Sequence, residues 1–228
     1  MAAPPPRRSP KRALDITAVV RALKRAVRAW APPAVARVQA AAPDPFRVLA
    51  SCLLSLRTKD AVTEVAARRL FALADSPAAI LALPRQTIER AIYPVGFYRV
   101  KARTLQEVCR DLLTRFGGQV PDTLDDLLTL KGVGRKTANL VVTVGYNKAG
   151  ICVDTHVHRI CNRWGYVRTK TPEATEQALR AILPRKHWIV FNDLLVPFGQ
   201  NCCKPISPLC SRCPIEVHCA KVGVTHHR

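Results

Sequence analysis

The sequence predicts an all-α protein, on three observations. Strand formers seldom fall in alternating runs, whereas Ala, Leu, Arg and Val recur at the spacing of a helix face. Helix-start signals recur: Ser76-Pro77 and Thr171-Pro172 each place a capping hydroxyl before a proline, and Asp122 has an acidic residue three positions on. The breaks between apolar stretches are short and built on Gly and Pro. With 228 residues, 48% of them apolar, the chain can bury one large core or two smaller ones.

Residues 1–13, MAAPPPRRSPKRA, combine prolines with cations and offer no apolar face, so they read as a flexible basic arm. From Leu14 onward, Val19, Val20, Leu23, Ala26, Val27 and Trp30 form a helical stripe that Pro32 and Pro33 end. Residues 46–56 read as a buried helix and 61–73 as an amphipathic one, with 57–60 the turn between them. Further helices are expected over 105–116, 124–130, 136–144, 151–164 and 172–183, and no repeat of fixed period occurs.

Charge supplies the first functional pointer. Lys and Arg number 36 against 16 Asp and Glu, a net charge of +20, so a polyanion is the expected partner. Nucleic acid fits best, because each neutralised phosphate releases condensed counterions; an anionic membrane surface is the plainer alternative. No apolar run reaches the roughly 18 residues of a membrane span, and no secretory signal precedes the first helix. A soluble protein working in the cytoplasm, at the nucleoid, is expected. Nine cysteines, an odd number, argue against a disulfide framework and for metal binding or buried thiols.

Three motifs carry chemistry. In Leu130-Lys-Gly-Val-Gly-Arg-Lys-Thr-Ala-Asn-Leu140 a short helix ends, two glycines turn the chain and an apolar helix begins. This is a helix-hairpin-helix. Without Cβ atoms, glycines let a phosphate approach backbone N–H groups at the positive end of a helix, so Gly132, Val133, Gly134 and Arg135 are expected to grip a DNA backbone. An ordinary tight turn is the alternative. Lys136 follows in the first turn of the second helix, beside Arg135 and close to Lys131. That surrounding disfavours an ammonium and favours an amine able to attack carbon, as in Schiff-base lysines. Local sequence alone supports a phosphate-neutralising lysine equally well.

The second motif, Val153-Asp-Thr-His-Val-His-Arg-Ile160, opens a helix with Asp154 placed to cap it. The carboxylate could be a cap only, or it could serve a site that handles a developing cation. His156 and His158 are two apart and do not share a helix face, which disfavours a metal pair and leaves His156 facing DNA. The third motif is Cys203, Cys210, Cys213 and Cys219, with six, two and five residues between successive cysteines. Thiolates suit zinc or an iron–sulfur cluster, and the spacing alone leaves both open. Cys52, Cys109, Cys152, Cys161 and Cys202 read as small buried residues.

Taken in this order, the three motifs resemble the endonuclease III family of DNA glycosylases, within the helix-hairpin-helix superfamily, over roughly residues 15–222. The resemblance implies two helical lobes with the active site between them: a hairpin-bearing domain at 44–150, and a cluster domain at 151–228 with which the helix of segment 14–43 packs. It implies a [4Fe-4S] cluster on Cys203, Cys210, Cys213 and Cys219, with zinc a minor alternative. It makes Lys136 the nucleophile and Asp154 the facing catalytic aspartate of a bifunctional glycosylase and AP lyase that excises oxidised pyrimidines. Relatives carrying Ser or Tyr at the lysine position act only as glycosylases. It also places Arg57 and Phe97 in the gap left by a flipped base, where many bacterial members have Gln and Leu; the hairpin here has Lys131 where Pro is commoner. Double-stranded DNA with damaged or abasic sites is the implied partner of a monomer. A monofunctional glycosylase, or a non-catalytic DNA binder with a zinc-stabilised tail, are the rival readings.

Overall fold

A computed structural model describes residues 14–41 and 44–228, and among these there is no strand. The basic arm expected at 1–13 lies outside the described residues. The helices are α1 (Ile16–Ala26), α2 (Ala34–Ala41), α3 (Pro45–Ser55), α4 (Asp60–Leu73), α5 (Pro77–Ala82), α6 (Arg85–Ile92) and α7 (Tyr98–Phe116). After them come α8 (Leu124–Leu128), α9 (Arg135–Leu140), α10 (Thr155–Trp164), α11 (Pro172–Ile182) and α12 (Trp188–Asn201). No helix among the described residues is long and apolar enough to cross a membrane.

Local chemistry sets the ends. Ser76 and Thr171 accept hydrogen bonds from the amides three residues on, each with its proline at the first helical position. The cap of α8 is Thr123, which accepts from the Asp126 amide, one position later than the Asp122 signal suggested. The expected helix at 151–164 starts only at Thr155, because Asp154 takes the cap and leaves 151–154 extended. α2, α6 and α12 were not among the expected helices. α12 is buried almost all round and so lacks the alternation of a surface helix; α2 forms once Pro33 allows the chain to restart.

Buried apolar residues separate into two cores. One gathers Leu49, Leu70, Ile88, Leu105, Leu127 and Val141 from α3 to α9 and the turn beyond. The other gathers Val20 and Leu23 of α1 with Ile160, Trp164, Phe191 and Phe198 of α10 and α12. Val35 of α2 belongs to the first core, so segment 14–43 is shared between the two. The extended stretch 151–153 runs along their boundary. Its side chains alternate as a pleat requires, with Cys152 in the first core and Ile151 and Val153 in the second. The α9 and α10 N-termini are thereby brought to the two sides of one seam.

Candidate active site

The hairpin between α8 and α9 turns at Gly132, whose φ of +77° suits a residue without a Cβ; a Cβ there would lie 2.8 Å from the Thr104 methyl. Gly134 caps α9 with no side chain, so the first amides of that helix have no intrahelical acceptor. Val133 is 6% exposed with its side chain in the first core, and its amide closes the turn onto Leu130 O at 3.1 Å. Arg135 turns its guanidinium inward as a fork on Glu176, with Nε and Nη2 donating at 2.9 and 2.7 Å. Glu176 is 2% exposed and is also paired with Arg180 at 2.9 Å. Burial would raise its carboxyl, but the two guanidiniums hold it below the ordinary carboxylate range.

Lys136 is half-buried, one residue beyond that fork. Its carbonyl accepts from the Cys152 thiol at 3.6 Å. Burial keeps the neighbouring thiols protonated: Cys52 is pushed up to about 12 and Cys152 well above its ordinary value. Asp154 Oδ1 accepts from the amides of His156 and Val157, both at 2.9 Å, which caps α10 and leaves Oδ2 for the site.

Lys136 and Asp154, 18 positions apart in sequence, line one open cleft of about 240 Å³ between the cores, together with His156, Asp60, Asn192, Asp193 and Gln200. His156 is half-buried; burial, Arg159 and Lys136 lower its basicity against the opposing pull of Asp154. Gly199 makes room for that ring, since a Cβ there would lie 2.3 Å from His156 Nδ1. Ser55, Thr58, Lys59 and Asp60, which flank Arg57, also line the cleft. Arg57 and Phe97 stand together at this rim, the guanidinium 5.1 Å from the ring centroid and Phe97 60% exposed. Exposure of that degree excludes a core role for the ring.

Sequence reasoning missed Asp60, Asn192, Asp193, Gln200 and Glu176. Gln200 reaches Asp60 at 3.4 Å and so links α12 to the start of α4. The signal that could have found the acids is scarcity: in a chain with 16 acids against 36 bases, three carboxylates face one cleft. Desolvation raises the Asp193 carboxyl to about 6.

Near the C-terminus, Cys203, Cys210, Cys213 and Cys219 line a common small cavity of about 20 Å³, with Cys202 as a fifth sulfur. Among the described residues no three His, Cys, Asp or Glu side chains gather as ligands of a single ion. The sulfurs surround a space, and two of them are met by donors suited to thiolate charge: Arg163 Nη1 at 3.4 Å from Cys203 Sγ, and the Lys221 amide at 3.3 Å from Cys219 Sγ.

Comparison with known proteins follows these features. Residues 50–185 match the model of the HhH-GPD superfamily of base excision DNA repair proteins. Endonuclease III of Thermotoga maritima is 48% identical over 176 residues, covering 77% of this chain and 83% of that protein. Endonuclease III homolog 1, chloroplastic, of Arabidopsis thaliana is 44% identical over 183 residues, 76% of this chain but 48% of that longer protein. Among solved structures, a trapped endonuclease III–DNA covalent intermediate superposes with a TM-score of 0.76 at 32% identity, covering 90% of this chain and 95% of that one.

The Asp193 carboxyl gives a pH-dependent prediction. Its folded value, about 6, lies above the ordinary 3.8, so between these values the folded state holds more protons than the unfolded state and stability falls as pH rises. Asp193→Asn should therefore be more stable than the parent at pH 8, by on the order of 2–3 kcal/mol, and the advantage should vanish below about pH 4. Urea denaturation at the two pH values measures this; a difference independent of pH would contradict it.

Proposed function

The chain belongs to the HhH-GPD superfamily of base excision DNA repair proteins and, within it, to the endonuclease III family, and from that footing we propose that it is a bifunctional DNA glycosylase and AP lyase acting on oxidised pyrimidines through Lys136. The observation that carries this reading is the meeting of Lys136 and Asp154 in one cleft, each at the N-terminal turn of its helix.

The damaged nucleotide leaves the stack at a cost of a few kcal/mol, smaller for a lesion than for a sound pair. Arg57 and Phe97 fill the vacated space, the aromatic ring stacking on the neighbouring bases. The α9 amides and Gly134 hold the backbone phosphate. The Lys136 amine then forms a bond to C1′ while the glycosidic bond breaks, and the base departs with the bonding pair and takes up a proton. Asp154 Oδ2 faces the positive charge that develops at C1′ and accepts a proton from the attacking nitrogen. Ring opening gives an iminium at Lys136. Loss of the C2′ proton sends an electron pair toward C3′, the phosphate leaves, and the strand is cut 3′ to the lesion.

Cys203, Cys210, Cys213 and Cys219 are proposed to hold a [4Fe-4S] cluster. The four sulfurs around one cavity and the N–H donors turned to them support this assignment. Bound there, such a cluster supplies a four-point tether that shapes the C-terminal loop, and no excision step requires electron transfer.

Two tests follow. On duplexes carrying defined oxidised pyrimidines or an abasic site, Lys136→Gln should abolish strand cutting and Asp154→Asn should slow base release about 10²–10⁴-fold; full cutting by Lys136→Gln would refute the assignment. Iron and zinc analysis of the purified protein, with Cys213→Ser alongside, should find iron in the parent and its loss in the variant. A colourless parent containing one zinc would overturn the cluster.

A further inference from the structure

Two non-glycine residues adopt left-handed backbone side by side at the cleft rim, Arg57 at φ +55° and Phe97 at φ +59°. Such a conformation is unfavourable for a residue with a Cβ and persists only where the surroundings over-determine it. The two residues come from separate stretches, the α3–α4 turn and the entry to α7, yet their side chains stack. Something beneath must hold both.

Lys101 does so. Its backbone amide donates to Phe97 O at 3.0 Å, closing the first turn that Phe97 caps. Its side chain is 9% exposed and runs the other way, with Nζ donating to Leu54 O at 2.7 Å, to Leu56 O, and to Thr58 Oγ1 at 3.1 Å. These acceptors use all three donors of the ammonium and bracket Arg57 on both sides. The Leu54 and Leu56 carbonyls lie at the C-terminal end of α3, where the helix dipole favours a cation. Thr58 Oγ1 also accepts from the Gly96 amide at 3.2 Å, next to Phe97. A Cβ on Gly96 would stand 2.9 Å from Arg57 O, so the two loops touch backbone to backbone.

We propose that Lys101 is the positioning residue that locks Arg57 and Phe97 into one two-pronged wedge, so that both side chains enter the duplex together and open the lesion pair before Lys136 reacts. The proposal rests on reading Arg57 and Phe97 as the residues that fill the flipped base's place. Its consequence is selective: losing Lys101 slows base extrusion and leaves the chemistry at Lys136 unchanged.

Lys101→Met tests this in the full-length protein, with Lys101→Gln, which keeps a shorter polar head, as a milder second variant should the first fold poorly. Single-turnover excision is measured on an oxidised pyrimidine paired in a duplex, and on the same lesion in a single strand, where no pair has to open. The expected result is a loss of about ten-fold or more on the duplex, from lost preorganisation, with less than about two-fold on the single strand. A 2-aminopurine opposite the lesion should also lose most of its fluorescence rise on binding. Equal losses on both substrates, or none, would overturn the proposal. Arg57→Ala/Phe97→Ala in the same assay separates the premises: if the double variant loses duplex excision while both Lys101→Met and Lys101→Gln keep it, only the role of Lys101 fails; if the double variant keeps it, the wedge reading itself fails.

Discussion

The carboxylate of Glu176 ties the hairpin to the second core. It is buried and forked onto Arg135 at the start of α9, while its own helix, α11, bonds to α10 through Thr175 Oγ1 and His158 Nδ1 at 2.7 Å. The path from Lys136 to Asp154 therefore runs through Arg135, Glu176, Thr175, His158 and the helix that Asp154 caps. Each link is short and polar. Leaving so buried a carboxylate without its cations would cost about 3–5 kcal/mol, enough to favour the arrangement that sets the amine opposite the acid. The position of Lys136 is tied to an ion pair one residue away.

That pair also explains how a chain of net charge +20 keeps an acid-lined cleft. Cations dominate the composition and suit a polyanion, but at the seam they are spent inward: Arg135 and Arg180 on Glu176, Arg159 on the Gly199 and Cys203 carbonyls, Lys101 on the carbonyls ending α3. Asp60, Asp154 and Asp193 are left facing the cleft, where the proposed reaction passes through positive charge at C1′ and nitrogen. The two best-defined acids sit in different surroundings, Asp154 bonded to two amides and Asp193 desolvated by burial, the kind of contrast that separates acid and base roles.

Much of this was legible in the sequence, for a physical reason. The hairpin glycines, the Asp154 cap and the four-cysteine loop are local motifs in which consecutive residues make the structure, so spacing alone exposes them. Phe97 and Arg57 were reached only through family resemblance, since nothing local marks a non-glycine residue at positive φ. The side-chain directions of Val133 and Arg135 were not legible from the hairpin; a packed core and a partner 41 positions away decide where those groups point. Asp193 and Asn192 lay hidden in α12, whose nearly uniform burial erases the helical alternation that would have marked its cleft-facing side. Long-range pairs such as Lys101 with the α3 carbonyls leave no sequence signature at all.

The central claim is that one amine, that of Lys136, becomes covalently joined to the sugar. Borohydride reduction during reaction with lesion DNA, followed by digestion and mass spectrometry of the cross-linked peptide, tests it directly. The account predicts a single nucleotide adduct on Lys136 in the peptide that contains the hairpin. An adduct on Lys131, on Lys59 or on the N-terminal amine, or no adduct under conditions in which the strand is cut, would contradict it.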